Sequence, residues 1–286
     1  MQRTPVLARQ LYDRFEPIHA LTHFAPEARM ALDGLGYRGF WMGYFAARSA
    51  PLGAVPPQVV TALFYNFAHR RVSKSLPAAW EIAGPSAALQ ARLDSAVAAL
   101  HRCGVTADEN VSVAAQLACR SAQAAPVDGR ALFAANVALP IPSEPVAALW
   151  HATTLLREHR GDGHVAALVA AGISGRESNV FHTAASAVSE GFMKRSRHYD
   201  DDEWEACRQS LADRGLLDHA DSLTRAGREL TDHLETTTDA LALRVFDVLD
   251  DDELSALFSA LTPVARKVIA AGDVPAATPM SARLDF

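Results

Sequence analysis

The sequence predicts an all-α fold in two parts, divided near residue 143. Three observations predict it. Apolar residues recur every three to four positions, most clearly in the C-terminal half. Segments that alternate apolar and polar are scarce, and β-branched runs are short. Ser or Asp followed three residues later by Glu, and glycines at helix-length intervals, mark helix starts and stops. Apolar residues make up 49% of the chain and charged residues 21%, as in ordinary folded domains.

The N-terminal part, residues 1–142, opens with weak signals. Tyr37 to Phe45 and Leu63 to Phe67 are dense in aromatic residues, which suits close helix packing or the wall of a pocket. Pro51, Pro56 and Pro57 mark a loop, and Ser86 to Arg102 is an amphipathic helix through Leu89, Leu93, Val97 and Leu100. The stretches 126–129 and 140–145 bracket a linker.

The C-terminal part, residues 143–286, is punctuated more clearly. A helix is expected after Ser143 and Pro145, with Val146, Leu149, Trp150 and Leu156 on one face. It should end at Gly161-Asp162-Gly163, whose glycines permit a sharp turn. A short helix with Val165, Leu168 and Val169 inward then stops at Gly172. Ser174 with Glu177, Asp200 with Glu203, Thr224, and Asp250 with Glu253 open four further helices. Residues 275–286 read as a loose tail.

Several classes are disfavoured. The best apolar run, Val165 to Ile173, falls well short of the ~20 residues of a membrane span. Residues 1–5 lack a signal-peptide core, so a cytoplasmic protein with no membrane partner is expected. Cys103, Cys119 and Cys207 are too few and too scattered for a disulfide framework or zinc ribbon. No P-loop, dinucleotide fingerprint or nucleophile elbow is present, and no cofactor is indicated.

The densest polar cluster is Arg157-Glu158-His159-Arg160-Gly161-Asp162-Gly163-His164, with His151 two turns upstream of His159. Two reactive types, an acid and a base, stand there beside anion-binding arginines. His151, Arg157, Glu158, His159, Asp162 and His164 are therefore the candidate ligand site; a salt-bridged interhelical turn is the plain alternative. Arg48, Trp41, Tyr44, Tyr65 and Asn66 join them if the two halves pack together. His19 and His23, four apart, lack the Glu of a zinc-protease pattern, and no metal site is expected.

Two resemblances follow. Gly215-Leu216-Leu217 and Leu223-Thr224-Arg225-Ala226-Gly227-Arg228-Glu229-Leu230, after a helix at 201–214, resemble the end of a recognition helix, the wing and the dimerisation helix of MarR-type regulators. Nearly the whole chain resembles actinobacterial proteins grouped as a helix-turn-helix family, through Gly36 to Phe45, Phe64 to Phe67 and Leu156 to Val165. The resemblance implies a winged-helix-like domain over 143–286 and a homodimer through the long helices at 224–248 and 251–268.

Charge qualifies what that implies. Residues 200–286 carry 19 acidic and 8 basic side chains, a net −11, against +5 for the remainder. Phosphate contacts need Lys and Arg, so DNA binding is doubtful. The expectation is a protein that binds a small apolar or amphipathic ligand on a MarR-like scaffold, with weak or lost DNA contact. The alternative is an enzyme of actinobacterial specialised metabolism that uses the central cluster for acid–base chemistry.

Overall fold

The computed structural model describes residues 2–275, 280 and 282–286. Helices α1 (Pro5–Phe24), α2 (Pro26–Gly34), α3 (Gly39–Ser49), α4 (Pro57–Phe64) and α5 (His69–Ser75) come first. They are followed by α6 (Ala78–Ile82), α7 (Pro85–Arg102), α8 (Glu109–Ala124) and α9 (Ala131–Val137). The second part holds α10 (Pro145–Ala170), α11 (Gly175–Ala185), α12 (Glu190–Arg197), α13 (Asp201–Asp213), α14 (Arg225–Leu243) and α15 (Asp251–Ala271). The fold is all-α. Among the described residues there is no strand, only one antiparallel bridge between Leu217 and Leu223. Where a wing was expected, the link from α13 to α14 closes on that single bridge, with Thr224 N donating to Leu216 O at 3.1 Å and Asp218 N to Ser222 O at 2.9 Å.

The capping signals act as written. Ser174 and Glu177 exchange the two bonds of a capping box, as do Asp250 and Glu253. The Thr224 side chain accepts from Gly227 N, and that of Asp200 from Glu203 N. Each satisfies a backbone donor that a helix start leaves without an intrahelical partner.

Three apolar clusters hold these helices. The largest draws on both sides of residue 143: Leu11, Phe15, Leu100 and Val111 pack with Leu149, Trp150, Leu257 and Val264. A second, rich in rings, gathers Tyr37, Phe45, Phe64 and Phe67 with Val72 and Leu76. A third joins the end of α10 to α11–α14 through Leu168, Phe181, Trp204, Leu211 and Leu234. By length and hydropathy α15, not the 165–173 run, is the helix long and apolar enough to cross a membrane. Here it lies against α1 and α8, with Leu254, Leu257, Leu261 and Val268 buried.

The expected turn at Gly161-Asp162-Gly163 does not form. α10 runs unbroken through it, from a Glu144 cap that accepts from Val146 N and Ala147 N to Gly172, whose φ of +66° stops the helix. Consequently Val169 points to solvent at 59% exposure. Local propensity lost to packing: α10 is flanked by α1, α7, α8, α9 and α14, and burial on so many sides outweighs about 1 kcal/mol per helical glycine. Gly163 is packed closely by the Arg130 guanidinium. A β-carbon at that position would stand 2.8 Å from Arg130 Nη1 and 3.4 Å from Leu241 Cβ. The described part of the expected tail is also tied down, while 276–279 and 281 lie outside the described residues. Tyr12 Oη donates to Met280 O at 2.5 Å, Arg283 N to Asp13 Oδ1 at 3.0 Å, and Arg14 lies 4.4 Å over the Phe286 ring.

A β-carbon at Gly161 would meet nothing nearer than 3.6 Å. Gly161→Ala should therefore raise stability by up to ~1 kcal/mol, as expected inside a helix. A urea midpoint that falls instead would show that the chain does not run helically through this position.

Candidate functional site

A cavity of about 430 Å³ opens where α1, α3, α4, α10, α11, α12 and α14 meet. That volume lies within the ~300–1,000 Å³ range of small-molecule sites. One wall is aromatic. Trp41, Tyr44 and Phe67 stand with ring centroids 5.6 Å apart in the pairs Trp41–Phe67 and Tyr44–Phe67, and Phe64 completes the surface. A second wall is one stripe of α10: Arg157, Arg160, Gly161, His164, Val165 and Leu168. These follow the three- and four-residue spacing of a helix face, which exists only because α10 is continuous. α11 and α12 form the third wall through Asn179, Phe181, His182, Met193 and Arg197. Phe40 and Phe192 line the cavity yet are 43% and 44% exposed, so they stand at its mouth.

The loop between α4 and α5 fixes how the third wall meets the first. Tyr65 adopts φ +52°, ψ −60°, and Asn66 N donates to Phe64 O at 2.6 Å, a tight γ-turn. The turn pushes the Tyr65 carbonyl against Gly175, where a β-carbon would sit 2.0 Å from that oxygen. Asn66 O then accepts from Asn179 Nδ2 at 2.8 Å, and Tyr65 Oη donates to Ile173 O at 2.5 Å. Strained backbone of this kind persists only where surrounding contacts over-determine it.

Beneath the cavity lies a buried charge network. Glu158 accepts from Arg48 through two bonds of 3.1 Å and from Arg157 Nη1 at 2.8 Å. Burial alone would raise its pKa; Arg157 and Arg48 reverse that and hold the carboxyl well below the ordinary range. Arg160 donates to Asp239 at 2.9 Å and reaches Glu235 at 3.4 Å; Arg9 bridges the same two carboxylates. Glu16 is fully buried, its two carboxyl oxygens lack hydrogen bonds, and Arg157 Nε is 3.9 Å away. Burial pushes its pKa up to about 7.

The expected site residues divide. Arg48, Trp41, Tyr44, Tyr65, Asn66, Arg157, Asp162 and His164 line the cavity. Glu158, His159 and His151 do not. Glu158 sits beneath, between its arginines. His159 turns the other way and packs edge-on against Phe133, with centroids 5.0 Å apart. His151 is buried a full two turns off. The histidines named for acid–base work are poor bases: burial, with Arg130 nearby, pushes His159 down to about 3, and burial with Arg92 takes His151 to about 4. His164 shares a 2.9 Å hydrogen bond with Thr238 Oγ1, and burial lowers it to about 4. Asp162 accepts from Phe133 N at 2.9 Å, and burial raises it to about 6. The candidate site drawn from sequence left out Arg160, although it stands in the same cluster, as well as His182, Arg197, Asn179 and His23. A continuous helix through 157–168 points to Arg160 at once. The others come from distant helices, and no local pattern announces them.

The buried Glu16 carries a pH signature. Between its ordinary 4.5 and about 7 the unfolded chain loses this proton while the folded protein keeps it. Unfolding then releases a proton, and stability falls as pH rises across that window. Glu16→Gln should flatten this slope in chemical unfolding followed from pH 4.5 to 7.5. An unchanged slope would mean that Glu16 does not hold its proton in the folded state.

No curated protein and no solved structure matches the chain. A family profile described as helix-turn-helix matches residues 8–275, across all three walls of the cavity and the whole of its charged floor. The chain belongs to this helix-turn-helix family.

Proposed function

We propose that the protein is a ligand-binding member of the helix-turn-helix family in which DNA contact is weak or lost. The family is of the DNA-binding regulator type. Its helix-turn-helix unit is assigned to α11, α12 and α13, and α14 follows after the Leu217–Leu223 bridge where a MarR-like protein would carry a wing. One observation carries the proposal: the inner face of this unit is a wall of the cavity. Phe181, His182, Met193 and Arg197 face the same space as the aromatic rings of α3 and α4. A small apolar or amphipathic ligand there touches the unit directly.

The outer face suits DNA poorly. Helix α13, in the recognition position, exposes Asp201, Asp202, Glu205 and Asp213. Its one arginine and the arginine at its C-cap are already engaged: Arg208 with Glu205 and Asp221, Arg214 with the carbonyls of Ala171 and Gly172. Few free cations remain there to neutralise phosphates. His159 and His164 serve acid–base turnover poorly, since an efficient base needs a pKa near the working pH and burial holds both well below it. A homodimer on the outward surfaces of α14 and α15 belongs to the same proposal, and light scattering that reports a monomer would remove it.

Two measurements test the proposal. Wild type should take up the neutral dye Nile red saturably, one per chain, and Val165→Trp, which fills the cavity from α10, should abolish uptake without lowering the melting temperature. Uptake that persists in the Trp variant would place binding elsewhere and remove the site. Fluorescence anisotropy with a random duplex at about 0.15 M salt should show no sub-micromolar binding, because the exposed charge opposes it. Tight binding at that salt would restore an ordinary repressor.

A further inference from the structure

Four arginines line the cavity, and three have carboxylate partners. Arg48 and Arg157 share Glu158, and Arg160 is held by Asp239 and Glu235. Arg197 has none. Among the described residues no carboxylate lies within ion-pair distance of it, and its Nε has no hydrogen-bond partner. Its guanidinium lies 4.3 Å over the Phe67 ring, and the groups whose fields it feels are Tyr44, Arg48, Tyr199 and Arg71. Burial lowers its pKa to about 10, the mark of a cation without a compensating anion.

Tyr44 adds a second unfilled donor. Its hydroxyl oxygen accepts from Arg48 Nη1 at 3.2 Å, which leaves the O–H proton with no acceptor among the described residues. The two acids in the lining are occupied: Asp162 with Phe133 N, Glu235 with Arg9 and Arg160. A half-buried cation with no anion of its own favours an anion that enters the cavity beside it, and a guanidinium matches a carboxylate through two parallel bonds. The aromatic wall formed by Trp41, Phe64 and Phe67 meanwhile offers mainly apolar contact.

Resting on the ligand-site proposal above, we infer that the cavity takes an apolar molecule bearing one carboxylate, with Arg197 and the Tyr44 hydroxyl receiving the anionic head and the rings of α3 and α4 the body. Phe40 and Phe192 flank the entrance through which it passes.

Titration calorimetry with three probes of equal chain length separates the possibilities: decanoate, decan-1-ol and decylammonium. Decanoate should bind at least tenfold tighter than decan-1-ol, and decylammonium should not bind. Arg197→Met should weaken decanoate at least tenfold, leave decan-1-ol within twofold, and melt no lower than wild type, since an uncompensated cation has been removed. Arg197→Lys should recover part of the decanoate affinity, which guards against a misfolded Met variant. Equal affinity for decanoate and decan-1-ol, or decanoate binding unchanged by Arg197→Met, overturns the inference and leaves the ligand site standing. Failure of all three probes, together with no uptake of the neutral dye, removes both.

Discussion

The bidentate pair between Arg48 and Glu158, with Arg157 on the same carboxylate, is the constraint on which the rest depends. Glu158 is buried, so its charge exists only because two guanidiniums replace the water it gave up. Removing one partner of such a pair costs about 3–5 kcal/mol, far more than an exposed ion pair. The pair also does geometry. Arg48 belongs to α3, which carries the aromatic wall, and Glu158 belongs to α10, which carries the polar stripe. Joining them sets the two walls face to face and leaves a space between. Arg48, spread over Phe64 at 4.2 Å, extends the tie into the ring cluster.

From that tie the charge pattern of the interior follows. Several negative groups lie behind the cavity surface, while the positive groups reach the surface itself, where Asp162 and Glu235 are the two acids among them. Glu16, Glu158 and Asp239 sit beneath or beside the lining; Arg48, Arg157, Arg160 and Arg197 form part of it. The histidines near this array are kept neutral by burial and by neighbouring arginines, so they contribute shape and hydrogen bonds more than charge.

Much of the fold was legible because the signals were local. The boxes at Ser174 and Asp250 and the cap at Thr224 depend on three or four residues, and those interactions hold wherever the helix packs. Gly161-Asp162-Gly163 misled for the same reason in reverse. Locally it is a turn, and only the crowding of α10 by five other helices makes it helix. That single misreading displaced the site. It grouped His159 with His164, though on a continuous helix five residues put them on different faces. Tyr65 and Asn66 line the cavity, but their polar groups are engaged structurally: the Tyr65 hydroxyl and the Asn66 carbonyl are spent on α11 and its approach. Arg197 follows Lys194 and Arg195 near the end of α12, and which way its side chain turns is something the sequence does not record.

At the seam between the α4–α5 loop and α11 the carbonyl oxygens are all main chain, two of them met by the Asn179 and Tyr65 side chains. Tyr65 O abuts Gly175, Asn66 O receives Asn179, and Ile173 O receives Tyr65. Main-chain atoms are the same whatever residue carries them. Substitutions at Trp41, Phe64, His182 or Met193 can therefore reshape the interior without loosening the joint that aligns the two walls. Architecture and chemical selectivity are thus carried by separate sets of atoms, and a protein built this way can change what it recognises one side chain at a time while its scaffold stays assembled.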